Sequence, residues 1–131
     1  MKPWTDYLVN SKYIDSIYHK DKPSLHNVDI HEVIFHRDGP KISIRMNLNE
    51  FPVSPPPKWV EQKFNTVQII LTFVDIYDVS MSGWVDTNYI ANLTIEKSNE
   101  KVCLNVRSAN LNLGIKASFI DIESITAYMR K

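Results

Sequence analysis

The chain is short of several things, and each shortage excludes a kind of chemistry. It has one cysteine, Cys103. A lone cysteine makes no intramolecular disulfide and no cysteine-based zinc site. There are three glycines, Gly39, Gly83 and Gly114, and no two are close. Loops that cradle phosphate need clustered glycines so that backbone can approach the ligand, so P-loop and dinucleotide-binding motifs are excluded. The Gly-x-Ser-x-Gly nucleophile elbow is absent as well. Neither sign of charge is in excess, with Lys+Arg and Asp+Glu at 15 each. Non-specific nucleic-acid binding draws its affinity from phosphate neutralisation and shows a basic excess, so nucleic acid is not the expected partner. The longest apolar run, Val67 to Val74, has 8 residues and includes Gln68 and Thr72. A spanning helix needs ~20, so no membrane partner is expected. The N-terminus, Met1-Lys-Pro-Trp-Thr-Asp, reads without an apolar h-region, and a cytoplasmic protein is expected.

What is present is ordinary for a globular domain. The 131 residues are 44% hydrophobic and 23% charged, enough for a single domain with its own core. In residues 1–22, Trp4, Tyr7, Leu8, Ser11, Ile14 and Tyr18 fall at helical spacing. Residues 4–19 read as one helix, or as two short ones if Ser11 is an N-cap. The period then changes from 3.6 to 2. Residues 28–50 read as a hairpin turning at Asp38-Gly39-Pro40, with Ile42, Ile44, Met46 and Leu48 on one face. Residues 51–64 open with four prolines in Phe51–Lys58 and form a stiff loop. Trp59 follows, opening a short helical turn; it reads as a plug for the core, with a binding anchor in a stiff loop as the other option.

Residues 65–131 read as further antiparallel strands. Thr66–Val74 and Tyr77–Trp84 form a second hairpin candidate, with only Asp75-Ile76 between them, so a tight turn or a bulge is implied. Ala91–Glu96 and Val102–Arg107 turn at Ser98-Asn99-Glu100. Leu111, Leu113, Ile115, Ala117 and Phe119 share a face, and Ile122–Met129 closes the chain. The fold class expected is α+β, mainly β: an antiparallel meander of about eight strands, with an N-terminal helical segment. A curved sheet, a sandwich and a partly open barrel all fit this pattern.

Catalytic constellations are not evident. His26, His31 and His36 lie in one stretch. His31 and His36 are five apart, which on a regular strand points them to opposite faces, so they share an ion only if the strand is bulged. No metal, no cofactor and no enzymatic activity are expected. Cys103, between Val102 and Leu104, reads as structural or idle. The feature that stands out is placement of charge. Between Lys63 and Lys97 there is no Lys or Arg, while Asp75, Asp78, Asp86 and Glu96 fall in that interval. Tyr77, Trp84 and Tyr89 lie among them. Acids steer encounter with a basic protein and aromatics anchor it, so Asp75, Tyr77, Asp78, Trp84, Asp86 and Tyr89 are the candidate partner-binding residues.

The order of features resembles the immunity protein 50 family of bacterial polymorphic-toxin systems. The resemblance rests on Trp4, Pro23-Ser24-Leu25, His36-Arg37-Asp38-Gly39-Pro40, Lys58-Trp59, Asn65-Thr66-Val67-Gln68-Ile69 and Ser82-Gly83-Trp84. It spans about residues 4–95, and the C-terminal third matches only as β pattern. The resemblance implies a cytoplasmic antidote that binds a cognate toxin domain and neutralises it by stoichiometric occlusion; an exposed edge strand would allow a homodimer as well as a monomer. The resemblance fixes no contact residues. The competing readings are a small-ligand or oligonucleotide-binding β-barrel module and a metal-dependent enzyme using the histidines.

Overall fold

The computed structural model describes residues 3–85 and 88–131. Six strands form one antiparallel sheet: β1 (Val28–His36), β2 (Lys41–Asn47), β3 (Thr66–Gly83), β4 (Ile90–Ser98), β5 (Lys101–Arg107) and β6 (Leu111–Tyr128). The sheet closes into a barrel in the order β1-β2-β3-β6-β5-β4. The closing seam between β1 and β4 is short, pairing Val28 with Ala91 and Asp29 with Ile90. Of the architectures expected, the barrel is the one found.

Two of the expected strand breaks are absent, and this reduces eight strands to six. Thr66–Val74 and Tyr77–Trp84 are one strand of 18 residues, and so are Leu111–Phe119 and Ile122–Tyr128. The two long strands pair with each other along their length, from Thr66↔Tyr128 to Gly83↔Leu111. Asp75, where a turn was expected, takes φ +62° yet stays in the strand. Its Oδ2 accepts a 2.7 Å hydrogen bond from Ser118 Oγ across the pair. The bulge, the other option, is present: the register shifts between Ile76 and Asp78, leaving Tyr77 as the extra residue.

Each long strand serves both halves of the barrel. The first half of β3 lies between β2 and β6, and buries Val67, Ile69, Leu71 and Phe73. The β2 ladder ends at Lys41↔Val74. Beyond it, β3 continues as an arm paired only with β6, whose Leu111, Leu113 and Ile115 are buried. The alternation slips phase where the halves join. Ala117 is buried, then Ile120, and Phe119 turns outward at 54% exposure instead of joining the inner face. Burying each aliphatic side chain of this core contributes roughly 1.5–3 kcal/mol before entropy is counted.

The N-terminal segment is two short pieces, a 3₁₀ turn at Trp4–Tyr7 and α1 at Lys12–Tyr18 with Ser11 at its N-cap position. Between them Leu8 bridges Ile120 of β6, and Trp4 Nε1 donates to the Pro23 carbonyl at 2.7 Å. Trp4, Leu8, Ile14, Ile17 and Tyr18 join the hydrophobic cluster. The proline-rich loop leads into α2 (Pro57–Glu61), where Pro57 suits the first turn because its missing N–H has no helical acceptor to lose. Trp59 is partly buried against the core beside Phe51, as a plug. The sheet's buried polar residues are paired. Asn47 donates to the Tyr128 hydroxyl at 2.6 Å and accepts from Gln68 at 2.9 Å, which removes the cost of burying its amide.

Candidate functional site

The described candidate residues fall into two groups, one at the bend of β3 and one just past its end. Asp75, Tyr77 and Asp78 sit at the bend of β3, where it leaves β2 behind. Tyr77 is 57% exposed because the bulge pushes it out of the alternation. Trp84 follows the far end of the same strand. Tyr77 and Trp84 are seven residues apart, about 23 Å at ~3.3 Å per residue. Trp84 has φ +72° and its N–H donates to the Asn110 carbonyl at 2.7 Å. Its ring stacks on Tyr89 with centroids 4.2 Å apart and planes at 16°. Tyr89 is buried, so it backs Trp84, which keeps 40% of its surface exposed. Asp86 lies outside the described residues.

The bend borders a cleft of about 700 Å³. Tyr77 and Phe119 line it from the long strands, Tyr7 and Val9 from the N-terminal segment, and Glu100 and Lys101 from the β4–β5 turn. Phe119 and Val9 are both more than half exposed, and they stand among the polar side chains that make up most of the lining, such as Asp6, Lys97, Asn99 and Ser118. Sequence reasoning missed both Phe119 and Val9. Phe119 was assigned inward by simple alternation, and only the phase slip at Ser118 turns it out. Asn99 and Glu100 take φ +50° and +63°, as a tight antiparallel hairpin requires, and this puts Lys101 at the cleft.

The interval without Lys or Arg in the sequence is not without them in space. The Lys101 ammonium stands 3.9 Å from the centre of the Tyr77 ring, and Lys116 is the register partner of Asp78. The surface around Tyr77 therefore carries both signs, and its acids do not make an unopposed field. A cation over the ring face is held by the ring's quadrupole, at roughly 0.5–1 kcal/mol when exposed. It fixes the side chain's orientation before any partner arrives.

The histidines do not converge. β1 is bulged at His31, where the register shifts between Ile30 and Glu32. His31 Nε2 lies 3.6 Å from Asp29 Oδ2, and Asp29 also holds Arg130 at 2.8 Å. His36 is at the other end of β1, about 16 Å away at ~3.3 Å per residue. Among the described residues no group of three His, Cys, Asp or Glu side chains is placed to hold a metal ion. Cys103 is a free, half-buried thiol on β5, across from Glu96 and Lys116. Among the described residues no helix is long and apolar enough to cross a membrane.

Among the described residues two titratable groups depart from their ordinary values, and both belong to the N-terminal segment. Lys22, hydrogen-bonded to Asp15, holds that carboxyl below the usual carboxylate range, with Ser11 adding to the effect against partial burial. Burial pushes the Tyr18 phenol well up, with the charge of Glu50 adding to it. Tyr18 Oη donates to the Glu50 carbonyl at 2.7 Å. The Asp15–Lys22 pair closes the helical segment on itself, Tyr18 ties it to the chain after β2, and both are remote in sequence from the bend.

Comparison with curated proteins and with solved structures returns no match. A protein-family model does match, over residues 10–128. The match reaches past residue 95 and takes in β5 and all of β6, which the motif resemblance left as generic pattern. It covers most of the chain, and the chain belongs to the Immunity protein 50 family.

Proposed function

We propose that this protein is a cytoplasmic antidote, which binds the catalytic domain of one cognate toxin and blocks it by one-to-one occlusion. Membership of an immunity-protein family supports toxin neutralisation as the general role. The contact face is assigned to the bend of β3, with Asp75, Tyr77 and Asp78, continued along the arm to Trp84 and, from sequence, Asp86. Tyr89 acts there as the support under Trp84.

The observation that carries this placement is the exposed Tyr77, lifted out of a regular strand by a bulge and set over an open cleft beside Phe119. Folding does not require this arrangement, since an aromatic at a half-exposed bulge buries little of its own surface. Interfaces draw most of their affinity from a few such aromatics in a desolvated centre. Cleft residues from three separated segments present a wide, irregular surface, which suits a protein partner better than a small molecule. Inhibition by occlusion needs no chemistry from the inhibitor, only a surface that stays on the toxin.

The test is complex formation between the purified chain and its toxin domain, followed by calorimetry. One-to-one binding that Tyr77→Ala weakens by about 30-fold, equivalent to ~2 kcal/mol, supports the placement. Tight binding that the variant leaves unchanged removes the bend from the interface.

A further inference from the structure

The arm of β3 beyond Asp75 has one partner strand, not two. It pairs with β6 on one side, and among the described residues no strand pairs with its other side. The hydrogen-bond phase identifies the groups left over. Trp84 N–H points to β6, where it meets the Asn110 carbonyl, and the Leu111 carbonyl points away from β3 to Ser108 N–H. Backbone groups alternate sides along a regular strand. Ser82 and Ser80 therefore bond to β6, while Val79, Met81 and Gly83 turn their N–H and C=O groups to the open side. The register runs without interruption from Asp78 to Gly83.

Natural sheets blunt an open edge with Lys, Pro, inward charge or a short strand. This edge, Val79-Ser-Met-Ser-Gly83, carries none of these. It lies in the middle of the Lys/Arg-free interval that stands out in the sequence. By contrast the β1–β2 turn carries Arg37 and Lys41, and the end of β4 carries Glu96 and Lys97. Val79 and Met81 are opposite the buried Ile115 and Leu113, so they lie on the core side of the sheet, yet they are 38% and 42% exposed. The apolar row runs out to the edge, and among the described residues no strand lies beyond it.

We propose that a second copy of this chain covers this edge, with β3 pairing antiparallel to β3 about a two-fold axis at Met81. That register uses every open backbone group. Val79 of one copy bonds with Gly83 of the other, and Met81 bonds with its own counterpart. The apolar row then continues across the seam, Met81 against Met81. The one charge of the arm, Asp78, falls opposite Trp84 of the second copy and far from the other Asp78, so like charges do not meet. A two-fold contact must be complementary to itself, and this edge is. The pairing brings Tyr77 at one protomer's bend near Trp84 of the second copy, joining groups that a single chain holds about 23 Å apart at ~3.3 Å per residue. The paired stretch is about 16 Å long by the same rise. That strip falls well below the ~1,600 Å² of a standard interface, so the dimer is weak and concentration-dependent.

The inference does not depend on the antidote reading, because its test uses the purified protein alone. Sedimentation velocity is measured from micromolar to near-millimolar concentration on the wild type, Met81→Lys and Met81→Pro. Met81→Pro deletes an N–H that the β3–β6 ladder does not use. The expected result is a reversible wild-type dimer whose dissociation constant rises at least tenfold, about 1.4 kcal/mol, in both variants, with the urea midpoint of the monomer retained. Met81→Lys alone decides the matter if the proline variant misfolds. Met81→Cys on a Cys103→Ser background reports the register: the two-fold places the two thiols within disulfide reach and predicts a cross-linked dimer under mild oxidation. A wild type monomeric throughout overturns the proposal. So does a dimer indifferent to Met81→Lys, or one that Met81→Cys does not cross-link. A monomer whose toxin complex is lost with Met81→Lys also overturns it, assigning the edge to a strand of the toxin.

Discussion

Gly83 ends the β3 arm and sets the position of Trp84, and its replacement by alanine has a cost that the structure allows to be worked out. Its φ is +102°, a region that L side chains enter at about 1–2 kcal/mol. A Cβ there would sit 2.2 Å from the Asn110 carbonyl oxygen and 2.9 Å from the carbonyl carbon. Both are backbone atoms, and Asn110 is held from two sides: its carbonyl accepts Trp84 N–H, and its side chain donates to the Asn88 carbonyl at 2.7 Å. The clash cannot be relieved by a rotamer change, and overpacking of this kind adds roughly 1–3 kcal/mol. Gly83→Ala should therefore cost about 2–5 kcal/mol. Gly39 supplies the control. Its φ is +109°, but a Cβ there meets nothing within 4 Å. Gly39→Ala should cost only the conformational part, about 1–2 kcal/mol. Urea unfolding of both variants isolates the steric part as a difference of roughly 1–3 kcal/mol, on the order of 1 M in midpoint at typical urea slopes. Midpoints within about 0.2 M of each other would refute the close approach of the two backbones and, with it, the pinning of Trp84.

Other consequences are simpler to state. Replacing Asp75, Asp78 and Asp86 together with Lys should slow association with the toxin and weaken its dependence on salt, read by stopped-flow; an unchanged rate removes the acids from the encounter surface. Tyr18 has its phenol raised in the fold, while the unfolded phenol titrates near 10. The stability it contributes is complete below that pH and is lost as pH rises above it, so alkaline unfolding should shift upward in Tyr18→Phe. Asp15 has its carboxyl lowered by Lys22. Its contribution is present above the ordinary carboxylate value and is lost as pH falls through the lowered one, so Asp15→Asn should flatten the acid limb of the stability curve below the ordinary carboxylate range.

Some of this molecule is legible in its sequence because the information is local. Strands β2, β4 and β5 follow from clean alternation between turns, β1 from a β-rich run that stops at Asp38-Gly39-Pro40, and Asn99-Glu100 marks its hairpin by residue type. Asp75 defeats the same logic. It is a turn residue with a turn-like φ, but it sits in a strand because Ser118 and a continuous β6 hold it there across 43 residues of sequence. The two breaks expected in β3 and β6 fail together, since each strand's continuity depends on the other. Closure by the Val28–Ala91 and Asp29–Ile90 pairs is likewise non-local and leaves no mark on either segment. The site shows the same division. Tyr77 draws attention from sequence alone, as an aromatic among acids. Lys101 over its ring, Phe119 beside it and Lys116 across from Asp78 depend on register, and register follows from bulges that composition does not announce.

The central claim is that this chain protects a cell by binding one toxin. The most direct measurement is a growth rescue: the C-terminal domain encoded by the adjacent upstream reading frame is expressed from an inducible promoter, with and without this protein. The account predicts that growth collapses without the protein and recovers with it, that the two chains co-purify one to one, and that Tyr77→Ala loses part of the rescue. Growth that the protein does not restore, with both chains soluble and folded, would contradict it.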